Sequence, residues 1–294
     1  MTSPPPSRYV AISPVRDEAK NFPHTIASLE KQTVRPERWI IVDDGSRDGT
    51  GGIADAAAAK HSWITVMHRK DRGFRKTGGG VIEAFNTGYE LVRDQEWEVV
   101  AKLDADLSFE SDYFEKCLGK FRDDPKLGIG GGLVREFREG KLVVGSPGDP
   151  AFHVRGATKL YRRECLEQIG PLQQTLGWDT LDEVKANMLG WRTYTFRDLN
   201  VTHYKITGSA DGSWAHWIKL GQSNYAAGYH PVFMACKCVI RLKSRPYGLV
   251  ALAVLLGYLS GYFGKVRQVD DRALVRWIRQ QQIRRLLFRS SIWK

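Results

Sequence analysis

Glu98-Val-Val-Ala-Lys-Leu-Asp-Ala-Asp-Leu-Ser-Phe109 is the stretch whose reading decides the fold. Its first half is apolar, the pattern of a parallel strand buried on both faces. It ends in Asp104-Ala105-Asp106. Carboxylates two residues apart at the end of a strand leave the sheet on the same side. Unpaired, they repel one another and resist burial. A divalent cation bound to a diphosphate resolves that conflict, because hard oxygen ligands suit Mg²⁺ or Mn²⁺. The competing reading is a capped turn, since Asp is common wherever strands stop.

Outward from this stretch, residues 8–134 alternate strand and helix. Strands are expected at Arg8–Ser13, Arg38–Asp43 and Trp63–Met67. Helices are expected at Asn21–Gln32, from an Asp48 cap to Lys60, and at Thr77–Arg93. This βαβ rhythm implies an α/β, doubly wound, mainly parallel sheet. Ligands of such sheets sit outside the carboxyl ends of the strands. Three of those ends, Pro14–Glu18, Asp43–Ser46 and Asp104–Asp106, are acidic and turn-forming. Their convergence on one edge marks the candidate site.

The chain has 294 residues and a net charge of +11, which taken whole could suggest a nucleic acid partner. The distribution argues against one. From Arg241 onward there are 12 Lys/Arg and 2 Asp/Glu, and the first 240 residues hold 32 and 31. The body is neutral and the tail basic. The four cysteines form no C-x-x-C pair and no dense framework, which fits a reducing compartment. Met1–Ser7 lacks the basic and apolar regions of a signal peptide and is expected to be a disordered leader.

Four segments together resemble the family 2 glycosyltransferases of GT-A fold: Ser13-Pro-Val-Arg-Asp-Glu18, Ile41-Val-Asp-Asp-Gly-Ser-Arg-Asp-Gly-Thr50, Ala84-Phe-Asn-Thr-Gly88 and Asp104-Ala-Asp106. The resemblance implies transfer of a sugar from a nucleoside diphosphate donor, a UDP-sugar first of all, to an acceptor. It implies that Pro14, Val15 and Glu18 line the base and ribose pocket, with Asp43 on the base edge and Asp44, Lys102 and Asp104 also on the nucleotide sugar. Asp106, with Asp104 and His203, would hold Mn²⁺ or Mg²⁺. The segment Arg72–Gly80 departs from the family's usual text, but its glycines and cations suggest a flexible loop near the diphosphate, which Arg72 would meet and Lys205 could also neutralise. Counting back from Gly190-Trp191 places Asp179 at the family's catalytic base, with Asp182 and Glu183 as alternatives one helical turn away. An inverting transfer needs such a carboxylate within reach of the acceptor hydroxyl. Trp214 and Trp217 could form a sugar platform, a membrane-facing edge or ordinary core.

Pro246–Gly264 has no charge, and Gly257 and Gly261 have the spacing of close helix packing. Cations flank it on both sides, so spanning, re-entrant and surface-lying forms stay open, as does a buried soluble helix. Asp271–Arg289 reads as a basic, imperfectly amphipathic helix suited to anionic headgroups. The expected organisation is a leader at 1–7, a GT-A domain at 8–240 and a membrane-associated helical tail at 241–294. The expected location is the cytoplasmic face of the cell membrane, peripheral or monotopic. The expected acceptor is a lipid-linked saccharide of surface polysaccharide or glycan assembly. Transfer to polyprenyl phosphate itself is the alternative, and a non-catalytic nucleotide-binding module is the alternative of another class.

Overall fold

The computed structural model describes residues 8–74, 76, 78–138, 140–205, 213–243 and 246–293. The expected leader at 1–7, the expected helix start at Thr77 and the flanking Arg245 lie outside them. Every residue of strand β1 (Tyr9–Val15) is buried, and successive side chains enter opposite cores. Tyr9 and Ala11 join one core with Trp39 and Ile41 of β2 (Arg38–Asp43). Val10 and Ile12 join the other with Ile40 and Val42. Because both faces are covered, the strands read as unbroken apolar runs.

β1 pairs in parallel with β2 and with β4 (Val99–Leu103), and β2 with β3 (Ile64–His68). The crossovers are α1 (Phe22–Glu30), α2 (Thr50–Lys60) and α3 (Gly80–Glu90). Asp48 accepts from the N–H of Thr50, the first residue of α2, at 3.1 Å. α3 lies close on the sheet at Gly88, where a Cβ would come within 2.7 Å of the Ile12 side chain. That is a physical reason for the glycine ending the Ala84–Gly88 segment.

The remaining strands are β5 (Leu107–Phe109), β6 (Leu127–Arg138), β7 (Lys141–Val144), β8 (Thr158–Arg162) and β9 (Arg192–His203). The nine-stranded sheet runs β3-β2-β1-β4-β8-β6-β9-β5, with β7 on β6. Antiparallel pairing enters at β8, while β6 and β9 run parallel. The doubly wound sheet expected from the sequence is therefore present, parallel through its first four positions. The strand order switches direction at β1, which has β2 on one side and β4 on the other. A crevice opens at such a switch point. Pro14, which has no N–H to donate, lies beyond Ile12, the last β1 residue paired with β4.

α4 (Tyr113–Asp123), α5 (Arg163–Ile169) and α6 (Trp178–Met188) complete the layers around the sheet. A third core lies under the C-terminal helices α7 (Ser213–Ala226), α8 (Pro231–Arg241), α9 (Leu249–Ser260) and α10 (Arg272–Leu286). It joins Leu181 and Val184 of α6 to Met234, Val254, Tyr258, Leu274 and Ile278. Residue 240, the expected boundary, falls within α8, and this core runs across it. α9 has 12 residues. At about 1.5 Å each it is about 18 Å long, against about 30 Å of hydrocarbon. A π-helical turn at Gly261–Lys265 follows, and Gly264 leaves helical geometry with φ +75°. Among the described residues no helix is long and apolar enough to cross a membrane.

α9 is seated on α7 through glycines. A Cβ at Gly257 would meet the Ile218 carbonyl oxygen at 2.0 Å, and one at Gly221 would meet the Val254 oxygen at 2.0 Å. Alanine at Gly257 adds about 1 kcal/mol of helix propensity, whereas overpacking costs about 1–3 kcal/mol. The obstacle here is backbone, which cannot swing aside, so the second effect should win. Urea unfolding of Gly257→Ala should show a lower midpoint at unchanged slope.

Candidate active site

The loop leaving β4 carries both carboxylates into the crevice. Asp104 donates its N–H to the Ala157 oxygen at 2.9 Å, and the Asp106 oxygen accepts from the Tyr204 N–H at 2.9 Å. β5 pairs antiparallel with the end of β9, setting His203 opposite Leu107. That register places His203 Nε2 3.1 Å from Asp106 Oδ2. Ligand atoms of Asp104, Asp106 and His203 all lie within 4.8 Å of one another. Two carboxylate oxygens and an imidazole suit a divalent cation such as Mn²⁺. Burial lowers the His203 pKa, but the Asp106 and Glu136 carboxylates raise it further, to about 9. A metal competes with that proton for the imidazole, so binding should release it.

Glu18, in the loop after β1, accepts from Lys205 Nζ at 2.5 Å through Oε1. Among the described residues its Oε2 is buried without a partner. Burial raises the Glu18 pKa to about 7; Lys205 opposes this, and the Asp106 and Asp104 charges add to it. A buried acceptor of this kind calls for a donor such as a hydroxyl. Lys205, expected at a diphosphate, is thus ion-paired to Glu18 across the same crevice.

The D-D-G-S turn is tied internally. Asp43 Oδ1 accepts from the Ser46 N–H at 2.9 Å and the Ser46 hydroxyl at 2.6 Å, and Oδ2 lies 3.0 Å from His68 Nδ1. Both oxygens are engaged, so Asp43 clamps its own turn. Asp44 Oδ1 accepts from Arg69 at 2.8 Å, and Oδ2 pairs with Arg72, which also reaches Glu83 at 2.9 Å. Arg72, expected at the diphosphate, is held by these two carboxylates.

Lys102, expected on the nucleotide sugar, is only 1% exposed. It lies beneath the site, where it donates to Asp104 and, at 2.6 Å, to the Gly156 oxygen, with the Trp178 ring 5.4 Å away. These contacts tie it to Asp104. Lys159, opposite Lys102 in the β4–β8 register, sits 5.4 Å over the same ring.

The two alternative bases lie in a buried ion network. Asp182 accepts from Lys159 at 2.8 and 2.9 Å and from the Tyr161 hydroxyl at 2.6 Å. Glu183 lies 2.7 Å from Lys159, accepts from the Val154 N–H at 2.6 Å and lies 2.8 Å from His153 Nδ1. Both side chains are buried in this network. Burial lowers the His153 pKa, but Glu183 raises it further, to about 9. Asp179 is half-buried at the start of α6, and its carboxylate neither pairs with Lys159 nor joins this network; only its backbone oxygen accepts from Lys159, at 2.5 Å. It lines a cavity of about 810 Å³ bounded by the C-terminal helices. A Cβ on Gly156 would touch both Trp178 and Asp179, so Asp179 stands one layer from Lys102 and Asp104.

Sequence reasoning missed Lys159, His153, His68 and Arg69. Of these only Lys159 left a signal, a lone cation in the apolar strand Thr158–Tyr161. Trp217 packs beside the third core, and Trp214 is half-exposed.

Residues 10–170 match the model of Glycosyl transferase family 2. The chain is 27% identical over 229 residues to a polyprenol monophosphomannose synthase of Mycolicibacterium smegmatis, covering 70% of this chain and 83% of the relative. It is 31% identical over 115 residues to an undecaprenyl-phosphate mannosyltransferase of Micrococcus luteus, covering 39% and 44%. Among solved structures, a mannosyltransferase of Pyrobaculum calidifontis in complex with GDP-Man and Mn²⁺ aligns with a TM-score of 0.57 at 20% identity, covering 97% of this chain and 76% of that one. GalNAc-T7 with UDP, GalNAc and Mn²⁺ aligns with a TM-score of 0.61 at 13% identity, covering 94% and 56%. These structural likenesses establish the GT-A fold.

Asp106→Asn preserves shape and removes one ligand charge. Even a supporting partner of a metal ligand is worth about 10–100-fold in affinity. Mn²⁺ titration followed by calorimetry should show at least that loss, with the thermal transition nearly unmoved. Unchanged Mn²⁺ affinity would exclude Asp106 as a ligand.

Proposed function

The chain belongs to glycosyl transferase family 2 and is a glycosyltransferase, and on that premise we propose that it moves a hexose from a nucleoside diphosphate sugar to a lipid-linked acceptor at a membrane surface, inverting the anomeric carbon. The observation carrying this reading is the meeting of Asp104, Asp106 and His203 in the β1–β4 crevice, one layer from Asp179. Bound Mn²⁺ or Mg²⁺ would supply positive charge to the leaving diphosphate. Glu18 offers its unpartnered oxygen to a ribose hydroxyl, with Pro14 and Val15 forming the floor at the end of β1. Asp179 accepts the acceptor's hydroxyl proton, the acceptor oxygen bonds to the anomeric carbon, and the bond from that carbon to the diphosphate breaks. The mannose-transferring relatives favour a mannosyl donor, with the uridine nucleotide expected from the sequence as the alternative.

Two relatives are named for polyprenol monophosphate and undecaprenyl phosphate, which favours a second reading in which the lipid phosphate itself is the acceptor. A phosphate oxygen arrives ionised and needs no base. Asp179→Asn therefore separates the two readings. With a hydroxyl acceptor, turnover should fall about 10²–10⁴-fold while donor affinity holds. With a phosphate acceptor, turnover should fall far less.

The membrane part of the proposal rests on α9. Leu249, Leu252, Leu256 and Leu259 recur at helical spacing along one face, each 43–48% exposed, and Phe263 continues the stripe. The opposite face, through Val250, Val254 and Tyr258, is buried against the protein. A short helix of this kind lies in the interface plane, with the basic tail meeting anionic headgroups at the cytoplasmic face. Full-length protein should float with anionic vesicles, and salt should weaken but not abolish this. Leu252→Glu with Leu256→Glu should stay in the soluble fraction and still bind nucleotide. Flotation by this double variant would sink the interfacial reading.

A further inference from the structure

The cavity beside Asp179 has a one-sided charge. Arg197, Lys219, Lys237, Arg241 and Arg285 line it, and the carboxylates lining it are those of Asp149 and Asp179. Two of the cations stand out. Lys237 Nζ donates to the Asn224 side-chain oxygen at 3.1 Å and sits 5.1 Å over the Tyr229 ring, both neutral partners. Arg241 follows one turn later on the same face of α8. Among the described residues, neither Lys237 nor Arg241 forms an ion pair. Burial, with Arg241 alongside, lowers the Lys237 pKa to about 8, and burial lowers that of Arg241. Asp149, in the same cavity, offsets part of this charge from a distance, but two neighbouring half-buried cations with no carboxylate in contact among the described residues remain a cost that a bound anion removes.

The cavity also has an apolar part, beside polar lining residues such as His216, Ser223 and Asn224. Phe233 and Trp293 contribute to its wall, and Ile240 and Phe288 on its rim are strongly exposed. A water-soluble anion has no use for such a rim, whereas an anion at the head of a hydrocarbon chain matches both parts. We propose that this cavity seats a phosphate group carried by the lipid acceptor, with Lys237 and Arg241 binding the phosphate and the apolar rim taking the first carbons of the chain. This rests on the lipid-acceptor reading above. It holds whether the phosphate is itself the nucleophile or lies next to the accepting sugar, because in both cases it must be positioned beside Asp179.

The test uses full-length protein in mild detergent with farnesyl phosphate, farnesol and inorganic phosphate as probes, followed by intrinsic tryptophan fluorescence. Farnesyl phosphate should bind at least about tenfold more tightly than either of the others, the loss expected on removing one hydrogen bond to a charged group. Lys237→Met with Arg241→Gln should abolish that advantage and leave nucleotide affinity unchanged. Lys237→Arg, which keeps the charge, should retain most of it and guards against a mere folding defect. Equal binding of farnesol and farnesyl phosphate would overturn the phosphate seat. Equal binding of inorganic phosphate would show a site for free anion and overturn the lipid part. Loss of vesicle flotation by Lys237→Met with Arg241→Gln would assign these cations to bilayer headgroups and also overturn the proposal. If the double variant binds farnesyl phosphate normally while donor turnover stays intact, this site falls and the glycosyltransferase reading stands.

Discussion

Two lysines that face each other across β4 and β8 set the terms for the catalytic region. Lys102 and Lys159 are register partners, both fully buried, and like charges directly opposite on a sheet repel. Each must therefore find carboxylates, and they find different ones. Lys102 takes Asp104. Lys159 takes Asp182 and Glu183, which sit together on α6. The Trp178 ring lies 5.4 Å from both ammonium groups and separates the two ion clusters. One electrostatic conflict thus fixes the loop bearing the candidate metal ligands and the helix bearing the candidate base. Removing a single partner would leave an unpaired buried charge, the expensive way to break such an arrangement.

The fold supplies the rest by geometry. The parallel strands end together, so that the turns after β1, β2 and β4 open on one side. The last strand, β9, then returns antiparallel to β5 and delivers His203 and Lys205 to the same crevice. Ion pairs between loops hold the arrangement. Arg16, Arg69 and Arg72 share Asp44, Asp71 and Glu83, joining the β1 and β2 turns to the segment before α3.

What was legible in the sequence followed local rules. Continuous apolar runs in a strand–helix alternation revealed the parallel strands, and the acidic residues at their ends revealed the crevice. Asp104, Asp106 and His203 come together as the resemblance implied. Other features depended on tertiary pairing that no local pattern carries. Lys102 beside Asp104 looked like a ligand-contacting cation because nothing nearby in sequence shows that Trp178 covers it. Spacing from Gly190-Trp191 put Asp179 first and left Asp182 and Glu183 as alternatives, and the latter two pair with Lys159 and His153, both from outside α6. The uncharged run at 246–264 read equally as spanning or surface-lying. Its interruption comes from Gly264 and from the helix it rests on, and composition shows neither.

The backbone contacts at Gly221 and Gly257 have a mechanical consequence. With carbonyl oxygens of one helix facing the α-carbons of the other, α9 can neither roll about its axis nor slide along α7 without a clash. The azimuth of its leucine row is therefore keyed to the body of the protein and not set by whatever phase it meets. The tilt at which the molecule lands on any flat apolar surface is decided before contact. A swivelling helix would sample many attitudes of the crevice to that surface, and a keyed one presents a single attitude.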